Sequence, residues 1–520
     1  MTSDAPTPAT PAAAAAAAGP PAPRATRREW LGLAAIALPC AVYAMDMTVL
    51  NLALPAISAE LRPSPGQLLW IVDAYGFLVA GFLITMGTLG DRIGRRRLLL
   101  IGAAAFAAAS ALAALSDSAE MLIGMRALLG IAGATVAPST MSLIRNMFHD
   151  ERERQFAIGI WIAAFSAGAA IGPLVGGVLL AFFGWQAAFL VAVPVMLLLL
   201  LVGPRLLPEY RDPGAGRLDL PSVALSLAAV WPTVYGLKKL AEAGLAPLPV
   251  ACLLAGLGVG LLFVRRQMRL DDPLLDLGLL RGARFSAALA AYGLSSLAMM
   301  GVFLYFTQYL QGVRGLGPLQ AGLVTAPWAL AFVVGSLLAP GWAQRWPARR
   351  ILVAGLVAAA AGFAAVALAG GPATLPLMLA GMVLMSLGMA PVFTVGNAMI
   401  IDAAPAQRAG AASAIAETVA ELSAALGVAL FGSLGAVLYR QALDRTLPEG
   451  LPPEAVAAAA ATIGAAVDVA GRLPAADGAL LLARAREAFT AVLQLNAGLG
   501  AGIVLLAALL AGVILGRRPG

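Results

Sequence analysis

From Trp30 onward, apolar runs of about 17–25 residues alternate with short charged or Gly/Pro breaks. An α-helix needs about 20 such residues to cross about 30 Å of hydrocarbon, and within one segment only a helix satisfies every backbone polar group there. The pattern predicts spans at 30–54, 68–90, 98–115, 121–143, 157–183, 186–203, 221–241, 248–265, 284–311, 317–343, 350–369, 375–400, 409–439 and 488–515, fourteen in all. An even number returns both termini to one side. Residues 1–29 form a Pro/Ala/Thr-rich segment with nothing to pack, which predicts a disordered tail. Its basic residues follow the alanine run and directly precede a longer apolar span, unlike a signal peptide. The longest polar break, 440–487, is Ala-rich and predicts short surface helices outside the membrane.

Composition agrees with lipid as the main solvent. Of 520 residues, 61% are hydrophobic and 12% charged, against about 25% charged in soluble proteins. Two cysteines, Cys40 and Cys252, and one histidine, His149, leave no set for structural zinc, an iron–sulfur cluster or a disulfide framework. The only lysines, Lys238 and Lys239, do not close a Gly-rich phosphate loop. The reading therefore expects no metal, no cofactor and no ATP-driven step.

The net charge of +7 reflects where the 34 Lys/Arg residues fall. With the amino terminus in the cytoplasm, most lie in cytoplasmic segments, including Arg92 and Arg95–Arg97 after span two and Arg265, Arg266 and Arg269 before span nine. That positive-inside bias predicts a multi-pass plasma-membrane protein with both termini cytoplasmic. It accounts for the basic charge without a nucleic-acid partner.

A repeat is also visible. Arg92…Arg96-Arg97-Leu98-Leu99-Leu100-Ile101-Gly102 aligns, at a shift of 253 residues, with Arg345…Arg349-Arg350-Ile351-Leu352-Val353-Ala354-Gly355. Two same-sense units fit two bundles around a central site, an arrangement that supports alternating access.

Charges where lipid disfavours them carry the functional signal. Asp46 lies in span one, Asp73 in span two, Arg126 near the start of span four, and Glu417 with Glu421 in span thirteen. Each costs at least about 2.5–3.5 kcal/mol at bilayer depth unless it faces a polar cavity, finds a partner or is protonated. Glu417 and Glu421 are four apart and share a helix face. The alternative for some of these groups is bundle packing or an interfacial position.

The turn after span two reads Gly87-Thr88-Leu89-Gly90-Asp91-Arg92-Ile93-Gly94-Arg95-Arg96-Arg97. Its glycines permit a tight helix-to-helix turn, and Asp91 suits a helix amino terminus. Here the chain resembles the major facilitator superfamily. That resemblance implies an all-α integral membrane fold of two six-helix bundles, here 30–205 and 281–520, with two added spans in 206–280. It also implies that Asp91, Arg92 and Arg95, within the glycine frame of Gly87 and Gly94, latch the bundles at the cytoplasmic side. Span five carries Gly168, Gly172, Pro173, Gly176 and Gly177, similar to the superfamily's antiporter motif, and Arg126-Ala127-Leu128-Leu129-Gly130 resembles one whose arginine serves proton coupling.

Met45-Asp46-Met47-Thr48-Val49-Leu50-Asn51-Leu52-Ala53-Leu54-Pro55 resembles the first-span motif of the fourteen-span drug:proton antiporters. Trp70-Ile71-Val72-Asp73-Ala74-Tyr75 and Arg408-Ala409-Gly410-Ala411-Ala412-Ser413-Ala414-Ile415 resemble the branch that exports quaternary ammonium and other cationic drugs. The resemblance implies proton coupling at Asp46, Arg126 and Glu421 and cation binding at Asp73, Glu417 and Glu421, with a proton gradient as energy source. An acidic residue that the family can carry in span ten is missing between Gly317 and Trp342. Trp70, Tyr75, Phe303 and Tyr309 are aromatic candidates for the cation, which an aromatic face attracts. The two added spans contain no acid and are expected to tether the bundles without lining the path.

The leading expectation is a monomeric, proton-coupled exporter of lipophilic cations in a lipid bilayer. A dedicated exporter of one metabolite, lipid or self-made antibiotic shares every feature above. A membrane enzyme or sensor would need a catalytic constellation, and His149-Asp150-Glu151-Arg152 does not supply one.

Overall fold

A computed structural model describes residues 23–63, 65–211, 219–243, 246–270, 273, 277–369, 375–405, 409–446, 452–460 and 462–516. The described residues form helices and turns. The chain runs α1 (Arg27–Leu61), α2 (Pro65–Ile93), α3 (Arg95–Ala114), α4 (Ala119–Gly133), α5 (Val136–Met147), α6 (Glu151–Phe183), α7 (Gln186–Leu190) and α8 (Ala192–Leu206). Then come α9 (Leu220–Ala243), α10 (Pro247–Gln267), α11 (Ala283–Gln308), α12 (Pro318–Ala343), α13 (Ala348–Leu368), α14 (Leu375–Asp402) and α15 (Ala409–Thr446). Short α16 (Pro453–Ala459) and α17 (Ile463–Ala470) precede the last helix, α18 (Ala475–Ile514).

Thirteen segments among the described residues are long and apolar enough to cross a membrane. Predicted span five is the continuous 33-residue α6. Span four is one apolar run in sequence but two helices in space, α4 and α5, divided at Ala134–Thr135. Pro138 lies just inside α5, and it offers no N–H to the carbonyl of residue 134.

Two ends differ from expectation. Residues 27–29 form the start of α1, and the residues just before them are tied down rather than free. The Ala25 amide donates to Glu153 Oε2 at 2.6 Å and the Arg28 guanidinium to the Arg205 carbonyl at 2.7 Å, tying this end to α6 and α8. The remainder of the predicted tail, residues 1–22, lies outside the described residues. The 440–487 break is shorter than predicted, because α15 runs to Thr446 and α18 begins at Ala475. Both extensions mix alanines with charges, so composition there falls below the apolar threshold while helix propensity stays high.

α1 packs on α6 and α8, α2 on α4, and α3 on α4 and α8. In the second half α11 packs on α15 and α18, α12 on α14, and α13 on α14 and α18. The repeat is spatial as well as sequential. An added Cβ on Gly102 of α3 would strike Thr135 in span four, and one on Gly355 of α13 would strike the Gly388 carbonyl of α14. Equivalent glycines thus give each half the same close approach between its third and fourth spans.

The halves meet through α6 with α12 and through α15 with α2 and α5. Two polar contacts between them lie at the end that carries Arg92–Arg97, the start of α1 and the end of α18, called here the basic face. Arg154 pairs with Asp402 at 3.2 Å, and the Arg145 guanidinium donates to the Ile401 carbonyl. At the same seam, Gly159 of α6 lets Ser336 and Pro340 of α12 approach closely.

The added pair is more than a tether. α9 lies against α10, α2 and α15, where Val230 and Val234 bury with Phe77 and Ala80 and pack beside Leu422. It covers the α2–α15 seam, with Gly81 open to Trp231. α10 packs chiefly on α9 and presents Leu248, Leu254, Leu257, Leu261 and Leu262 outward, as a lipid-facing helix does. Arg266 clamps Asp219 with two bonds of 3.0 Å, stapling the hairpin at the basic face.

Candidate functional site

Three helices of the first half assemble one buried charge pair. Asp46 of α1 accepts from Arg126 Nη1 of α4 at 2.6 Å, and both residues are under 10% exposed. Arg126 Nε also donates to the Ile71 carbonyl of α2 at 3.1 Å. Its guanidinium carbon sits 4.5 Å from the Tyr75 ring centroid, a cation–π contact. Tyr75 lies beside Tyr43 with tilted rings 5.9 Å apart, and Tyr43 meets Phe165 of α6 edge-on at 5.5 Å. A carboxylate, a carbonyl and an aromatic face therefore offset the desolvation of one guanidinium.

α6 reaches this group because its small residues let it touch α1. An added Cβ on Gly168 would lie 2.0 Å from the Ala41 carbonyl oxygen, and one on Gly172 would lie 2.0 Å from Thr48 Oγ1. Residues 41–48 are the turns that carry Asp46. Gly176 is also buried, while the surroundings of Pro173 and Gly177 lie outside the described residues. Gly168→Val should force α1 and α6 apart at about 1–3 kcal/mol. A fall in thermal midpoint together with weaker coupling between Asp46 and Arg126 in a double-mutant cycle would show it. An unchanged midpoint would mean the close approach is dispensable.

The second half contributes Glu417 and Glu421 of α15. The Tyr292 hydroxyl of α11 faces Glu417, and Asn397 of α14 lies against the same tyrosine. Tyr292 meets Phe393 edge-on at 4.7 Å. Glu421 lies within electrostatic reach of Tyr43 and Tyr75 across the seam. Carboxylates from both halves thus converge on the Tyr43–Tyr75 pair.

At the basic face, Asp91 and Arg95 form an ion pair inside the α2–α3 turn, with Arg95 fully buried. Gly94 has φ +108°, a backbone state that disfavours any side chain. Glu209, just after α8, sits where a Gly94 Cβ would be and accepts from the Arg96 and Arg97 amides at 3.1 and 3.2 Å. A carboxylate on a helix amino terminus satisfies its open donors and opposes its dipole. The Arg95 amide donates to the Tyr210 carbonyl at 2.9 Å, so the segment after span six holds the turn from outside.

The Major Facilitator Superfamily profile matches residues 36–428, most of the chain and all of this site. The chain belongs to the major facilitator superfamily. It is 46% identical over 494 residues to the multidrug efflux pump LfrA of Mycolicibacterium smegmatis, covering 95% of this chain and 98% of that one. The methyl viologen resistance protein SmvA of Salmonella typhimurium is 34% identical, covering 89% and 93%. Among solved structures, the human organic anion transporter MFSD10 superposes with a TM-score of 0.61 at 16% identity, covering 93% of this chain and 99% of that one. That likeness bears on the fold alone.

As a superfamily member the protein is a membrane transporter and not an enzyme. Its fold brings Asp46, Arg126 and Tyr75 together and sets Glu417 and Glu421 opposite. The side chain of Asp73 lies outside the described residues. Trp70 is 45% exposed and meets Phe77 edge-on, on the α9 side of α2, which removes it from the Arg126 group. Phe303 stacks on Trp328 at 4.9 Å within the second half. Tyr309 is buried in a π turn, Tyr309–Val313, packed on α12, α17 and α18, which places it in that bundle's own core. Gly87 is buried in α2, and Arg92 is half-buried in the turn. Sequence reasoning passed over Tyr43, Tyr292, Asn397 and Glu209. Tyr43 sits three residues before Asp46 and shares its helix face, a usable signal, whereas the others show none in sequence.

Proposed function

We propose that this transporter exports lipophilic, cationic compounds, drugs and antiseptics among them, in exchange for protons. Export of drugs is supported by the relatives, which carry names of multidrug efflux and resistance proteins. The observation that carries the finer reading is the buried Asp46–Arg126 pair set opposite two acids of the other half. Protonating Asp46 removes the charge that Arg126 neutralises, so a proton and the arginine compete for one carboxylate. A bound cation and a proton compete in the same way at Glu421. Occupancy by one favours release of the other, and the rearranged pairs bias the two halves between their inner and outer openings.

The basic face is cytoplasmic on the positive-inside rule, in a plasma membrane, with both termini inside. The contacts Arg154–Asp402 and Arg145–Ile401 then close the cytoplasmic side, and Asp91, Arg92 and Arg95 latch it. A single chain suffices, and a proton gradient is the only energy source. A dedicated exporter is the second reading, favoured by 31% identity to the tetracenomycin C resistance and export protein of Streptomyces glaucescens.

Everted vesicles presented with a fluorescent quaternary ammonium dye in the outer medium test the proposal. Uptake should appear when a pH gradient is imposed, acid inside, and vanish on its collapse. Uptake that ignores the gradient would overturn the proton coupling. Transport confined to one compound across a cationic panel would favour the dedicated exporter.

A further inference from the structure

A cavity of about 540 Å³ lies outside the transport site, at the membrane end of α3 on the basic face. Its charged walls are Arg96, Arg97, Arg211 and Glu209, and its apolar walls Ile93, Leu100, Ile101, Ala104 and Pro204. The lining thus carries three arginines and one carboxylate. That carboxylate is already satisfied by the Arg96, Arg97 and Tyr210 amides at 3.1–3.2 Å. The Arg96 guanidinium is spent on the Pro204 and Leu207 carbonyls at 3.2 and 3.1 Å and pairs with Glu209 at 3.5 Å. Arg97 and Arg211 are exposed and have no protein partner for their guanidinium groups among the described residues. The cavity therefore holds an excess of positive charge available to something else.

The depth of its parts says what that is. On a helix, positions four apart stack on one face at successive turns. Arg96, Leu100 and Ala104 form one such row, and Arg97 and Ile101 a second beside it. Each row starts with a guanidinium at the membrane boundary and continues as apolar surface one and two turns deeper. Ile101 is 54% exposed. A free phosphate would use the arginines and leave the apolar rows uncovered. An anionic amphiphile uses both.

We propose that this cavity binds an anionic glycerophospholipid from the leaflet at the basic face. Its phosphate lies between Arg97 and Arg211, and an acyl chain lies along Leu100, Ile101 and Ala104. The planar guanidinium groups suit a phosphate, which accepts paired N–H donors. The site adjoins Glu209 and Gly94, so the lipid borders the turn that holds Asp91 and Arg95. It is independent of which compound the protein exports.

Native mass spectrometry of the intact protein, equilibrated with equal phosphatidylglycerol and phosphatidylcholine, reads the site. One phosphatidylglycerol should be retained in preference to phosphatidylcholine by roughly thirtyfold, the order expected from two surface arginines. Arg97→Gln with Arg211→Gln should abolish the preference, and the paired lysine variants should keep most of it. A photoactivatable phosphatidylglycerol should label the peptide containing Ile101 and Ala104 in the unmodified protein, a readout that needs no variant. Equal retention of both lipids, or labelling elsewhere only, would overturn the proposal. So would loss of the bound lipid to millimolar inorganic phosphate, which would assign the arginines to a free anion.

Discussion

Asp46→Asn is expected to leave the protein folded and in the membrane while removing its response to a pH gradient. Asparagine keeps the size of aspartate and an oxygen that can still accept from Arg126 Nη1, now 2.6 Å from the carboxylate. The arginine also keeps the Ile71 carbonyl and the Tyr75 ring. What is lost is the group that takes and returns a proton. One proton exchanged for one monovalent cation moves no net charge, so the pH difference alone supplies the drive, about 1.4 kcal/mol or tenfold accumulation per pH unit. Gradient-driven uptake into everted vesicles should therefore fall to the passive level, with dye binding retained. Arg126→Ala is the structural contrast. It strands a buried carboxylate at about 3–5 kcal/mol, and the protein should fail to accumulate. Full gradient-dependent transport by Asp46→Asn would assign proton coupling to another group.

The second large effect separates the two acids of α15. Both acids reach Tyr43 across the seam, but Glu421 also reaches Tyr75, whereas Glu417 takes the Tyr292 hydroxyl of its own half. A divalent cation in the seam needs charge from both halves, and a monovalent one needs only one. A unit charge about 5 Å away contributes about 3 kcal/mol at an effective dielectric near 20. Glu421→Gln should thus reduce efflux of a bis-quaternary compound on the order of tenfold or more and that of a monovalent dye by much less. Glu417→Gln should reduce both alike, and Tyr292→Phe should reproduce part of that loss by removing the hydroxyl. Paired efflux rates for the two compounds in each variant decide it. Equal losses in Glu421→Gln would remove its role in reading substrate charge.

Much of this was written in the order of residues along the chain. Span lengths follow from the thickness of hydrocarbon, which no tertiary contact alters, and the glycine-framed turn at 87–97 is local geometry. The charges at 46, 126, 417 and 421 were legible because lipid disfavours them wherever they point. Folding decided their partners. Asp46 and Arg126 are 80 residues apart and meet because Gly168 and Gly172 bring α6 onto α1 while α4 packs on α2. Tyr292, Asn397 and Glu209 are ordinary in sequence and become functional candidates only through neighbours more than 100 residues away. Trp70 and Tyr75 show the limit from the other side. Both are aromatic and five apart on α2, yet helical rotation sends one toward α9 and the other under Arg126. Composition and periodicity determine which segments enter the membrane, because burial in lipid depends on each segment alone. Which side chains share a cavity depends on rotation and close approach of separate helices, and those are set by packing among all of them.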